Sequence, residues 1–76
     1  TLSLHDALPI SVLNAANEVA VEAFLARRIR FDQIHAVNHE TLAALHEPPP
    51  RGLEDLLGLD QLSREKARRI VSQISR

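Results

Sequence analysis

The sequence predicts an all-α fold, a partial bundle of three to four helices with no sheet. Three observations carry this. The fourteen residues from Val12 to Leu25 hold neither Gly nor Pro. Apolar side chains recur at intervals of three and four in the later segments, the period of a helix with one buried face. Aliphatic residues dominate, and Phe24 and Phe31 are the only aromatics, a composition suited to helix-on-helix packing. The expected helices cover about 12–27, 33–45, 53–57 and 61–74.

The first is the centre around which the others must pack. Ser11 or Asn14 supplies an N-cap. At about 100° per residue, Val12, Ala15, Ala16, Val19, Ala23 and Ala26 share one side. Leu13, Asn17, Ala20, Val21 and Phe24 continue round the other, leaving only Asn14, Glu18 and Glu22 as a polar stripe. A helix apolar over so much of its circumference is buried on several sides, and its small alanines let neighbours come close. Arg27, Arg28 and Arg30 follow; basic groups there complement the helix dipole. Ile29 and Phe31 alternate with the arginines, which predicts a short extended connector turning both inward.

Asp32 reads as the N-cap of the second helix, with Phe31 packing on its first turn. Ile34, Val37, Thr41, Leu42 and Leu45 form its inner stripe. Pro48-Pro49-Pro50 stops it, since each proline removes an N–H donor, and forms a stiff extended linker. Leu53, Leu56 and Leu57 mark a short third helix that Gly58 caps. Asp60 caps the last, whose inward positions are Leu62, Ala67, Ile70, Val71 and Ile74.

Seventy-six residues allow one small domain with a limited core. The absence of Cys removes disulfides and thiolate metal sites, and a formal charge of −1 argues against a general nucleic-acid binder. No apolar run reaches the roughly 20 residues that span a bilayer, so a cytoplasmic chain with no membrane partner is expected. Residues 1–10, TLSLHDALPI, back-translate as ACT CTT TCC CTA CAC GAC GCT CTT CCG ATC, which resembles a sequencing-adapter oligonucleotide. They are expected to be non-native, leaving 11–76 as a helical domain incomplete on its N-terminal side.

The candidate constellations are weak as catalytic sites. His35, His39 and His46 fall within about 40° of one another on an ideal helix. The pattern is not HExxH, and no Glu lies between two ligands one turn apart. They read as a helix edge, so zinc or nickel should leave the melting temperature unchanged. Asn17, among Leu13, Val21 and Phe24, is expected to be desolvated and to tie its helix to a neighbour's backbone, because an unpaired buried amide costs roughly 1–3 kcal/mol. Glu18 and Glu22 read as a solvent stripe or as partners for arginines on other helices. No catalytic, cofactor-binding or metal-binding residue is assigned; Asn14, Asn17 and Glu18 are the structural or domain-contact residues.

The string L-N-A-A-N-E-V-A-V-E-A-F-L, then R-I-R-F-D-Q-I, closely resembles the C-terminal helical domain of the 1-deoxy-D-xylulose 5-phosphate (DXP) reductoisomerases. A second match is Leu53-Glu54-Asp55-Leu56-Leu57, then Asp60 and a basic, Ala-containing helix; together the two cover about Leu13 to Arg76. The resemblance implies an NADPH-dependent oxidoreductase of isoprenoid precursor synthesis that forms 2-C-methyl-D-erythritol 4-phosphate with a divalent metal, magnesium or manganese. It implies a homo-oligomeric parent whose helical domain braces the catalytic domain. The NADPH, metal and phosphate positions have no counterpart here, so the fragment alone should bind no cofactor, fold marginally and lack activity.

Two alternatives stand beside this. A small oligomerisation module needs only the apolar stripes. A helix-hairpin-helix nucleic-acid binder would use Leu56-Leu57-Gly58-Leu59-Asp60, but Asp60 stands where a second Gly is needed, and the span to Ala67 is too long.

Overall fold

A computed structural model describes the backbone of residues 4–75 and the side chains of residues 10–75. Among the described residues the secondary structure is helical throughout: α1 (Leu4–Leu25), α2 (Phe31–Ala44) and α3 (Leu53–Ile74). All three pack on one another, and α1 touches both partners. The two 22-residue helices should each be about 33 Å long, which explains the elongated 38 × 21 × 18 Å envelope.

The core is the inner side of α1 against the facing sides of α2 and α3. Val12, Ala15, Ala16, Val19, Ala20 and Ala23 are buried from α1, Val37 and Thr41 from α2, and Leu59, Ser63, Ala67, Ile70 and Val71 from α3. Thr41 and Ser63 each donate their hydroxyl to the carbonyl four residues earlier, at 2.7 Å, so both are buried without an orphaned donor.

Four expectations need correction. First, α1 starts at Leu4 rather than near residue 12, and ends at Leu25 rather than 27. Its end is a Schellman motif: Arg28 N–H donates to Ala23 C=O and Arg27 N–H to Phe24 C=O, both at 2.9 Å. Arg27 takes the left-handed position there, at φ 63°. The arginines therefore lie beyond the helix, and Ala26 lies beyond it on the surface. Residues 1–3 and the side chains of 4–9 fall outside what is described, so the reading of 1–10 as non-native lies largely there.

Second, Arg30 rather than Asp32 is the N-cap of α2. Its extended backbone accepts from Gln33 N–H at 3.0 Å and donates to Gln33 Oε1 at 2.7 Å. Asp32 sits in the first turn, drawn to the Arg30 guanidinium at 3.1 Å. That hydrogen bond lowers the Asp32 carboxyl below its ordinary pKa, and its negative charge suits the helix N-terminus. Ile29 turns inward as expected, but Phe31 stays 74% exposed and lies edge-to-face with Phe24, ring centroids 5.6 Å apart.

Third, the expected helices 53–57 and 61–74 are one. Gly58 is a helical residue without positive φ, and a Cβ there would meet nothing within 4 Å. Asp60 does not cap; it accepts from Arg64 Nε one turn on at 2.7 Å. The true start is held by Gly52, whose C=O accepts from Leu56 N–H at 3.1 Å, and by Asp55, which accepts from Arg51 N–H at 3.0 Å. An unbroken α3 also removes the hairpin that a helix-hairpin-helix requires. Fourth, continuity shifts the inner face: Leu59 and Ser63 are buried, whereas Leu62, expected inside, is 42% exposed.

Candidate docking face

The feature that the three helices leave unfinished is the outer side of α1. Ile10 is 50% exposed, Leu13 38% and Leu25 73%. Leu13, Asn17, Val21 and Leu25 follow at four-residue spacing, so they form one line along the helix. Val21 is half-buried and Asn17 exposed. This is the sequence's all-round apolar helix with one side lacking a neighbour. Several apolar side chains in a row, bordered by polar groups, mark a contact surface rather than scattered exposure.

The polar border is built from the residues singled out in the sequence. Asn14 Nδ2 donates to Glu18 Oε2 at 3.3 Å, one turn along α1. Glu18 Oε1 also receives Arg64 Nη2 of α3 at 3.1 Å, while the same guanidinium holds Asp60. Asp60 first, and then Glu18, raise the Arg64 pKa further above its ordinary value, so Arg64 is a permanent cation clamped between two helices. Glu18 is half in water, and its pairing contributes on the order of 0.2–1 kcal/mol. Arg64 and Arg68 with Glu18, Glu22, Val21 and Leu25 border a shallow groove of about 440 Å³ between α1 and α3.

Asn17 is exposed rather than desolvated, a correction to its expected burial. The reason is the same missing neighbour: the apolar residues around it cover it only where another element packs on them. Its Oδ1 accepts from Asn38 Nδ2 of α2 at 3.2 Å, a side-chain partner instead of the expected backbone one. Asn38 was not foreseen. Its own Oδ1 is buried with no partner among the described residues. Only the register of α2 against α1 reveals it, since a lone Asn on a helix flank carries no sequence signal.

The histidines do not converge. His35 and His39 stack one turn apart, ring centroids 6.4 Å apart, both exposed; His46 lies past the end of α2. Among the described residues no group of three or more His, Cys, Asp or Glu is arranged to hold a metal. Nor does a chain with two glycines offer a Gly-rich nucleotide loop. The described residues thus offer no donor set that fits the NADPH or divalent metal that the family resemblance attaches to the parent enzyme. No helix among the described residues is long and apolar enough to cross a membrane.

Comparison with known proteins places this geometry. Residues 2–66 match the family described as the DXP reductoisomerase C-terminal domain. The chain is 46% identical over 65 residues to 1-deoxy-D-xylulose 5-phosphate reductoisomerase of Aeromonas salmonicida (strain A449), covering 86% of this chain and 16% of that protein. It is 51% identical over 63 residues to the enzyme of that name from Acidithiobacillus ferrooxidans (strain ATCC 53993 / BNL-5-31), covering 83% and 16%. Against the one from Ralstonia pickettii (strain 12J) it is 48% identical over 62 residues, covering 82% and 16%. The chain thus spans about 16% of the length of these relatives.

Proposed function

The chain belongs to the DXP reductoisomerase C-terminal domain family, and from that premise we propose that it serves as the bracing helical domain of such an enzyme. The parent would convert 1-deoxy-D-xylulose 5-phosphate to 2-C-methyl-D-erythritol 4-phosphate in the cytoplasm, as a homo-oligomer. NADPH and magnesium or manganese would be held by the parent's other domains. The observation that carries this reading is the unpartnered line Leu13, Val21, Leu25 on the central helix, flanked by Asn14, Asn17 and Glu18. Burying a Leu or Val side chain contributes roughly 1.5–3 kcal/mol, so such a line gains most when a large neighbour covers it. Asn14, Asn17 and Glu18 would border that contact, and no residue of this chain would act on substrate, NADPH or metal. Residues 1–10 remain in our reading non-native.

A domain exchange tests the function. The segment of the Aeromonas salmonicida relative that aligns with this chain is replaced by residues 11–76, and a second version ends before the segment. The exchange should restore DXP-dependent NADPH oxidation that the shortened version lacks, with Asn17→Leu leaving KM unchanged. A folded exchange protein no more active than the shortened one would overturn the proposal. The exposed line also suits self-association, the oligomerisation reading. That reading gains if residues 11–76 alone form a stable dimer by sedimentation.

A further inference from the structure

The α1–α2 corner begins just past Leu25, where the proposed docking line ends, and has chemistry of its own. Arg27, Arg28 and Arg30, all exposed, fall within four successive positions. Together with Gln33 they border a cleft of about 390 Å³ whose apolar walls are Ile29 and Ile74, and among the described residues no carboxylate lines it. That volume lies within the range of small-molecule sites, about 300–1,000 Å³. Arg27 and Arg28 take part in no ion pair among the described residues. Arg30 is turned on Asp32, but both members of that pair are about 70% exposed, at 70% and 71%, so water and other anions compete for the guanidinium. The neighbouring recess, which Arg28 shares with Arg68, also contains Glu22, so an anion would be drawn to the first cleft and not the second.

The backbone of this corner is fixed. Arg27 is held in the left-handed region by the two Schellman hydrogen bonds, at a position where Gly is usual. Arg30 is held by its paired hydrogen bonds with Gln33. A non-glycine residue in this conformation costs on the order of 1 kcal/mol, and such outliers cluster at ligand sites. Guanidinium groups present a planar fork of N–H donors that matches phosphate oxygens two at a time.

We propose that the cleft of Arg27, Arg28 and Arg30 binds a small phosphate-bearing anion, with Ile29 and Ile74 contacting whatever apolar part the molecule carries. Its size and confinement to one corner fit a small molecule better than a polymer.

Titration calorimetry of the full 76-residue chain with inorganic pyrophosphate, at low ionic strength and with helicity followed by circular dichroism, tests this. One-to-one saturable binding is expected. Arg28→Gln should weaken it about tenfold, and Arg27→Gln with Arg28→Gln should abolish it. Arg51→Gln, which removes the same charge elsewhere, should leave it unchanged. Absence of saturable binding, equal weakening by Arg51→Gln, or full affinity in the double variant would each overturn the proposal. These substitutions are on the surface, so helicity should match the parent chain in every sample.

Discussion

Arg27 occupies a backbone position that favours glycine, and this makes a simple prediction. Arg27→Gly should raise unfolding free energy by about 0.5–1 kcal/mol, seen as a higher melting temperature, because the left-handed conformation no longer strains a Cβ. The same change should weaken pyrophosphate binding, separating stability from affinity at one residue. Asn38 makes the opposite kind of test. Its buried Oδ1 has no partner among the described residues, and Asn17, which accepts its amide, is exposed enough to turn to water. Asn38→Leu should therefore leave chemical-denaturation stability unchanged or increased, whereas Asn38→Asp should lower it by more than about 1 kcal/mol. A clear loss in the leucine variant would show that the Asn17–Asn38 bond matters more than the orphaned acceptor. The exposure of Asn14 and Glu18 was legible from the sequence because a polar stripe on an apolar helix stands out. Arg64 as the partner of Glu18 was not, since the two are 46 positions apart and only the α1–α3 crossing joins them.

α3 shows how far element boundaries follow from local signals. Gly58 and Asp60 are a common stop and a common cap, so the sequence reads two helices. The helix runs on because Leu56, Leu59, Ser63, Ala67, Ile70, Val71 and Ile74 keep one phase from end to end, and packing on α1 outweighs a glycine penalty of about 1 kcal/mol. Gly58→Ala should accordingly raise helicity by circular dichroism and stabilise the chain by about 0.5–1 kcal/mol, since the added methyl meets only open space. If Gly58 capped a separate helix, the same change would destabilise it. The stripe of α2 and the central place of α1 were readable because both rest on long periodic patterns. The ends were not, because Arg30 wins over Asp32 as a cap only through its contacts with Gln33 and Asp32.

At the scale of the whole chain, the exposed area is 5400 Å², whereas a compact monomer of this mass is expected to expose about 4,700 Å². The excess goes with the elongated 38 × 21 × 18 Å envelope of two long helices. Leu25→Gln, at a side chain 73% exposed, should change the stability of the isolated chain by no more than about 0.5 kcal/mol. In the domain-exchange enzyme the same change should lower the melting temperature, by up to the roughly 1.5–3 kcal/mol that full burial of a leucine contributes. Equal effects in both settings would mean that nothing covers the line. The opposite side of α1 has a consequence for how this sequence can drift. Ala15, Ala16 and Ala20 are 0% exposed and Ala23 is 5%, so the neighbouring helices lie against methyl groups. Enlarging any of them forces α2 or α3 outward, at typically 1–3 kcal/mol. Those four positions should therefore accept Gly, Ser or Ala and resist anything larger, whereas the isolated three-helix chain sets no such size limit on the outer line. One helix is thus limited by volume on the side it builds with and by the surface of a partner on the side it offers.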